Sequence, residues 1–327
     1  MLYIKNMEDI SEIVKRDSKK NWFYSFIQWL DNKLINKCVV LYKYYFNKIT
    51  IRNFGDKKIY ILPWKEEKNN KIKVKKLNKL YENINKENKK DKLVVLSNCL
   101  NEDSKTIEIL YKKGIEILDG RWLLNLLTNK VVQYISKCKN KNFKEQNLAI
   151  LINNPDDVSM YNITKLAEEV KNLKIVTNNQ IYFKRLEQKM YAEKGVPILV
   201  VNNKKKSLLN SDIILNVDFS EKELNNYSLN KNAILVNVNS NIKIYAKAFK
   251  GINVNWYKIK LNEEYSDLFN EYNLSNRFDE NILYESLIYS KDKLHNIINR
   301  LNQDKTEIQY LVGIKGRIQE VEYLNNT

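Results

Sequence analysis

The stretch Leu148-Ala-Ile-Leu-Ile152, followed by Asn153-Asn-Pro-Asp-Asp157, decides the fold that this sequence predicts. It is the first of six apolar runs that recur every fifteen to twenty-five residues, with amphipathic segments between them. Near-continuous runs of Ile, Leu and Val suit strands that are covered on both faces, and this spacing is typical of βαβ units. The sequence therefore predicts a mostly parallel sheet with strands near residues 148–152, 173–177, 196–201, 212–217, 233–238 and 252–256.

The turn after the first run departs from the pattern of dinucleotide-binding sheets. Such sheets carry G-x-G-x-x-G at this point, because glycines let the backbone approach a pyrophosphate. Here Pro155 removes an N–H donor, and Asp156 and Asp157 place negative charge where phosphates would bind. Each contact between a carboxylate and a phosphate at about 4 Å costs on the order of 1–4 kcal/mol. The sequence thus predicts a degenerate Rossmann-like sheet that disfavours NAD(P), and a helix here that an Asp or Ser159 caps.

Residues 147–260 resemble the nucleotide-binding domains of shikimate-dehydrogenase-like and glutamyl-tRNA-reductase-like enzymes. The resemblance rests on the strand spacing, on Thr177-Asn178-Asn179 after the second run, and on Ser211-Asp-Ile-Ile-Leu-Asn-Val217 as the fourth. It implies that the chain after the second strand contacts an adenosine ribose or its phosphate, and that the fourth strand leads to a nicotinamide pocket. The chain also resembles a family of low-GC bacteria, and that resemblance implies no activity.

The residues that follow the strands form the candidate ligand site, here named the strand-end rim. Ligands of open α/β sheets bind outside the carboxyl ends of the strands. The rim is rich in amides and poor in acids and bases, which suits recognition of a small neutral polar ligand better than catalysis. Asparagine also tolerates turns, so a purely structural rim stays open as an alternative. The candidate residues are Asn153, Asn154, Thr177, Asn178, Asn179, Asn216 and Asp218, and the wider rim adds Asn202, Asn203, Asn237 and Asn239.

The length of 327 residues is enough for two domains with their own cores. The polar run from Lys137 to Asn147 predicts a linker, so the expected segments are an N-terminal α/β domain over 1–140, the Rossmann-like domain over 147–260 and a helical tail over 261–327. In the first segment we expect a helix near 10–36, strands near 39–45, 48–54 and 58–62, and a basic amphipathic helix within 65–92.

The motif Asp119-Gly120-Arg121-Trp122 follows a short predicted strand and opens a helix. Asp119 is expected to cap that helix, and Gly120 is expected to permit the tight turn. Trp122 can fold back onto the sheet. A structural role explains these three residues without any ligand.

The net charge of +17 raises the alternative of a nucleic-acid partner. Only 7 of the 56 basic residues are Arg, whereas contacts with phosphates and bases favour the bidentate guanidinium. Joint enrichment in Lys, Asn, Ile and Tyr is also what AT-rich coding DNA produces. Nucleic-acid binding therefore stays open but is not favoured.

No catalytic or metal-binding set emerges from the sequence. Cys38, Cys99 and Cys138 are widely spaced and His295 is the single histidine, so neither a disulfide framework nor a metal site is expected. There is no P-loop, no G-x-S-x-G and no H-E-x-x-H, and catalytic residues stay unassigned. We expect no membrane segment and a cytoplasmic location, because no apolar run approaches the roughly 20 residues of a membrane span. The oligomeric state and the cofactor stay open.

Three functional hypotheses follow from these observations. The leading one is a non-enzymatic or ligand-sensing protein that has a dehydrogenase-like architecture without its phosphate loop. The second is an NAD(P)-dependent oxidoreductase with an aberrant phosphate loop. The third is a basic protein associated with nucleic acid.

Overall fold

A computed structural model describes residues 2–6, 49–54, 57–62, 70–87, 93–202, 205–244, 249–289 and 293–324. The helix expected near 10–36, the strand expected near 39–45 and Asn203 lie outside the described residues. The chain divides into a smaller unit, residues 1–119 with 263–287, and a larger unit, residues 120–262 with 288–327. Each unit is built on its own sheet.

The elements are numbered in chain order. The strands are β1 (Leu2–Asn6), β2 (Thr50–Phe54), β3 (Lys57–Leu62), β4 (Leu93–Leu96), β5 (Glu116–Leu118), β6 (Asn147–Leu151), β7 (Asn172–Val176), β8 (Ile198–Val201), β9 (Ile213–Asn216), β10 (Ile234–Asn237), β11 (Ile252–Lys260), β12 (Glu307–Gly313) and β13 (Gly316–Arg317). The helices are α1 (Asn70–Glu87), α2 (Asn98–Asn101), α3 (Ser104–Lys112), α4 (Arg121–Leu126), α5 (Thr128–Cys138), α6 (Asp157–Glu169), α7 (Gln180–Lys194), α8 (Glu221–Leu224), α9 (Glu263–Glu271), α10 (Glu280–Ile288), α11 (Leu294–Gln303) and α12 (Glu320–Leu324).

The smaller unit has a five-stranded sheet in the order β2-β3-β1-β4-β5, in which only β2 runs antiparallel to its neighbour. The basic helix α1 is amphipathic as predicted, because Leu77, Leu80 and Ile84 are buried in the core of this unit. On strand β1, the Tyr3 hydroxyl forms a hydrogen bond of 2.7 Å with the Ser286 hydroxyl. The segment 263–287 therefore belongs to the unit that the N-terminal strand begins.

The larger unit has an eight-stranded sheet in the order β13-β12-β11-β10-β9-β6-β7-β8. Strands β6 to β11 are parallel, and the antiparallel β12 and β13 extend the sheet beyond β11. Taken alone, the six parallel strands lie in the order third, second, first, fourth, fifth, sixth, which is the order of the Rossmann fold. The predicted α/β class and mostly parallel sheet are therefore confirmed, with strand ends that differ by a few residues.

The two compact units group the chain differently from the predicted segments 1–140, 147–260 and 261–327. Residues 120–140 belong to the larger unit and residues 263–287 to the smaller one. The segment 261–327, predicted as a helical tail, contains α9 to α12 and also the hairpin of β12 and β13. Which of these segments folds independently stays a prediction.

The motif at Asp119 differs from the expectation in one respect. The N-cap of α4 is Gly120 with a φ of 82°, a residue that has no side chain to accept a capping hydrogen bond. The left-handed turn at glycine is confirmed, and the N-cap position is Gly120 rather than Asp119. The Gly120 carbonyl instead accepts a hydrogen bond from the Tyr257 hydroxyl at 3.0 Å, which ties the turn to β11.

No helix in the described ranges is both long enough and apolar enough to cross a bilayer.

Candidate functional site

The strand-end rim centres on the two neighbouring strands β6 and β9. They pair in parallel from Leu148 with Ile213 to Leu151 with Asn216, and the connections that leave their carboxyl ends diverge. This is the position at which Rossmann folds bind the pyrophosphate of a dinucleotide. The loops that decide what can bind are therefore residues 152–157, after β6, and residues 217–220, after β9.

The Asp218 carboxylate accepts hydrogen bonds from the loop after β6, which is the loop that binds a phosphate in dinucleotide-binding folds. Its two oxygens accept from the backbone N–H of Asn153 at 2.8 and 3.0 Å. The backbone N–H and the side-chain amide of Asn154 also donate to one of these oxygens, at 2.7 and 3.2 Å. An internal anion thus satisfies the donors that this loop presents.

The start of helix α6 is likewise satisfied from within the chain. The Asp156 carboxylate accepts from the Ser159 backbone N–H at 2.7 Å, and the Ser159 hydroxyl accepts from the Asp156 backbone N–H at 2.9 Å. This capping box confirms the predicted cap, and it satisfies two of the N–H donors that make a helix N-terminus attractive to anions. Asp157 adds a further negative charge in the first turn.

The turn after β9 holds Asp218 in place. The buried Asn216 side chain accepts from the Phe219 backbone N–H and donates to the Phe219 carbonyl, both at 3.0 Å. The Phe219 ring enters the core of the larger unit, where it lies 6.0 Å from the Tyr227 ring. Burial, with a smaller contribution from Glu223, raises the pKa of Tyr227 to about 12. The Asn216 side chain and the buried Phe219 ring therefore hold the turn that carries Asp218.

A chain of buried amides continues from Asn216 across the ends of the neighbouring strands. The Asn216 side chain donates to the Asn237 side chain at 3.1 Å. Asn237 in turn donates to the side-chain oxygens of Asn253 at 2.6 Å and Asn255 at 2.9 Å. Asn216 and Asn237 are 1% and 0% exposed, so their side chains join strands and do not face solvent.

Arg121 is a rim residue that the sequence analysis did not select. It is buried, and its guanidinium donates to the carbonyls of Asn237 at 3.0 Å and Val238 at 3.3 Å, and to the Asn241 side chain. The same guanidinium lies 5.0 Å from the centroid of the Trp256 ring. Its partners lie more than a hundred residues away in sequence, and the signal that could have indicated it is its position directly after the Asp-Gly turn.

The predicted site residues fall into three groups by exposure. Thr177 and Asn216 are buried, and the Thr177 hydroxyl accepts from the Asn179 backbone N–H at 2.9 Å. Asn154, Asn178 and Asn179 are exposed, and they are the amides that a ligand could contact directly. Asn153 and Asp218 are partly exposed, and the Asn153 side-chain oxygen accepts from the Asn178 backbone N–H at 2.9 Å, which joins the loops after β6 and β7. The role of all seven residues in ligand binding stays a prediction.

Comparisons with known proteins concern the fold. No protein-family model and no curated protein sequence matches the chain. Among solved structures it is similar to a dipicolinate synthase component from Bacillus halodurans, with 12% identity, a TM-score of 0.30, and coverage of 44% of this chain and 49% of that chain. It is also similar to L-tryptophan dehydrogenase from Nostoc punctiforme, with 9% identity, a TM-score of 0.33, and coverage of 93% of this chain and 80% of that chain.

A third similar structure is the dipicolinate synthase component from Bacillus subtilis, with 10% identity, a TM-score of 0.33, and coverage of 49% of this chain and 56% of that chain. The chain thus spans about half the length of the two dipicolinate synthase structures. Similarities of this size say nothing about what the chain binds or catalyses.

Proposed function

We propose that the larger unit is a non-enzymatic binding module that senses a small, neutral, polar ligand at the strand-end rim and does not hold a dinucleotide in the usual way. The observation that carries this proposal is the Asp218 carboxylate, which accepts from the backbone N–H groups of Asn153 and Asn154. A pyrophosphate needs donors at this position, and here it would meet a negative charge.

The chemistry of the open part of the rim supports a neutral ligand. Asn154, Asn178 and Asn179 are exposed, and each amide offers both donors and acceptors. The neighbouring carboxylates of Asp156 and Asp157 repel anions, and the described part of the rim holds no histidine. A sugar-like or amide-bearing molecule would satisfy these groups without placing a second negative charge beside Asp218.

The order of the parallel strands favours the second candidate, an NAD(P)-dependent oxidoreductase with an aberrant phosphate loop. That order is the one found in dinucleotide-binding domains. In this case Asp218 would have to leave the donors of Asn153 and Asn154 when the cofactor binds, at the cost of its hydrogen bonds.

Calorimetric titration with NAD, NADH, NADP and NADPH separates the two candidates. We expect no binding tighter than roughly 0.1 mM, an affinity equivalent to about 5.5 kcal/mol. Micromolar affinity for any of these cofactors would contradict the proposal and support the oxidoreductase.

Mass spectrometry of molecules released from the native protein tests the positive part of the proposal. A molecule identified in this way should bind the wild type and lose its affinity in Asn178→Ala. The matched control is Asn296→Ala, which removes an exposed asparagine from α11 in the same unit. Equal affinity of the two variants would show that the rim does not bind the molecule.

A further inference from the structure

A cleft of about 280 Å³ lies at the edge of the larger sheet opposite the strand-end rim. Residues 250–253, where β11 begins, form one wall, and residues 313–318 of the hairpin between β12 and β13 form the other. Glu322 of α12 closes one side. Since β11 is parallel to β6 and β9, this cleft is separate from the rim described above.

Positive charge dominates the cleft. Lys250, Lys315 and Arg317 line it, against the single carboxylate of Glu322. Within the described part of the chain, none of these three cations has a carboxylate partner at ion-pair distance. Glu322 already accepts a hydrogen bond from the Gln319 backbone N–H at 2.8 Å. The cleft therefore carries an excess of cationic donors.

The hairpin wall holds one of these cations in a defined position. The Arg317 guanidinium lies over the Tyr310 ring, 4.7 Å from its centroid, and cation–π contact restricts the guanidinium without using its N–H donors. A guanidinium held in this way offers a planar pair of donors, which matches the geometry of a phosphate. Lys250 stands on the opposite wall.

Glycines form part of the walls of the cleft. Three of the seven glycines in the chain line it, namely Gly251, Gly313 and Gly316. A Cβ at Gly251 would lie 2.0 Å from the Ala233 carbonyl oxygen, and Gly316 has a φ of 105°, so backbone packing and turn geometry require both. A Cβ at Gly316 would meet no atom within 4 Å, and one at Gly313 would face Asn253 and Ile318 of the cleft, so an anion can approach the backbone at these two glycines.

We propose that this cleft binds the phosphate group of a small phosphorylated molecule, with Lys250, Lys315 and Arg317 as its cationic contacts. Ligand pockets usually measure about 300–1,000 Å³, so a cleft of about 280 Å³, just below that range, suits a phosphate with a small organic group and is too small for a dinucleotide. Ile314, 53% exposed at the mouth, provides an apolar surface for that organic group.

Titration with phenyl phosphate and with inorganic phosphate tests the proposal, because the phenyl ring can contact Ile314. The double variant Lys315→Gln with Arg317→Gln should bind phenyl phosphate at least about tenfold more weakly than the wild type, since two charge-assisted contacts are lost. The matched control is Arg185→Gln with Lys189→Gln, which removes the same charge from the exposed face of α7. Its affinity should equal that of the wild type.

The variant Lys250→Gln changes the wall formed by residues 250–253 and leaves the hairpin unaltered. It should also weaken the binding of phenyl phosphate. The proposal is overturned if the wild type does not bind phenyl phosphate at millimolar concentration, or if the cleft and control variants lose affinity equally. A short DNA duplex distinguishes the source of the phosphate. If the duplex binds through these residues while phenyl phosphate fails to compete, the cleft contacts nucleic acid and the small-molecule proposal is wrong.

Discussion

Replacement of Asp218 by alanine tests whether this carboxylate holds the loop after β6. Its oxygens accept from the Asn153 N–H at 2.8 and 3.0 Å and from the Asn154 N–H at 2.7 Å. Hydrogen bonds to charged groups contribute about 1.5–3 kcal/mol each. Asn154 is exposed and can turn its donors to water, so the bond from the partly buried Asn153 dominates. We expect a loss of about 2–3 kcal/mol in the free energy of unfolding.

Urea unfolding and thermal melting measure this loss. For a unit of this size, about 2–3 kcal/mol corresponds to a midpoint lower by roughly 4–12 °C. Glu193→Ala is the control, because it removes an exposed acid from α7 in the same unit and should change the free energy by less than about 0.5 kcal/mol. A melting midpoint of Asp218→Ala equal to that of the control would show that the Asp218 carboxylate does not stabilise the loop after β6.

The same variant tests whether the carboxylate blocks anions. Without it, the N–H donors of Asn153 and Asn154 become available to a phosphate. Millimolar phosphate should then raise the melting temperature of Asp218→Ala more than that of the wild type, in which the carboxylate occupies the same donors. An equal response of the variant and the wild type would mean that Asp218 is not what excludes anions from the loop.

Three further outcomes follow from the contacts of the larger unit. Gly251→Ala should lower the free energy of unfolding by about 3 kcal/mol or more, because its Cβ would meet the Ala233 carbonyl oxygen at 2.0 Å; urea unfolding checks this. Arg121→Ala should cost about 2–4 kcal/mol by leaving buried carbonyls unpaired, and it should change the fluorescence of Trp256, 5.0 Å from the guanidinium; an unchanged spectrum would contradict the contact. Burial raises the pKa of Tyr227 to about 12, whereas an unfolded tyrosine ionises near pH 10. The unfolded state therefore releases its proton first, stability should fall as the pH rises from about 10 to 12, and Tyr227→Phe should make that fall less steep.

The parallel sheet of the larger unit was predictable because its signal is local. Each strand is a short apolar run, and Ile150, Ile214 and Leu235 are buried as such runs require. The grouping of residues 263–287 with the N-terminal strand was not predictable, because it depends on long-range packing. Tyr3 and Ser286, for example, lie 283 residues apart in sequence. Strand β1 was also missed, since only three apolar residues of the strand precede Lys5.

The sequence analysis identified residues of the strand-end rim but not the hydrogen bonds between them. The sequence analysis placed Asn153 and Asp218 at one edge of the sheet, and the structure brings them into direct hydrogen bonds across 65 residues of chain. The sequence analysis listed Asp218 among the rim residues but did not identify its donors, because the backbone N–H groups of the turn cannot be assigned to partners from sequence. Arg121 was missed for the same reason, since its partners are two carbonyls 116 and 117 residues away.

The asparagines of the rim separate into residues that the fold requires and residues that it does not. Asn216 and Asn237 are buried with their amides paired, and an apolar residue at either position would leave its partners unsatisfied, at a cost of about 1–3 kcal/mol for each group. The side chains of Asn178 and Asn179 are exposed, and the hydrogen bonds described at these residues use their backbone N–H groups. Folding therefore places no requirement on these two side chains. If they have a specific role, it is contact with a molecule outside the chain, and an alanine at Asn178 should change ligand binding without changing the free energy of unfolding.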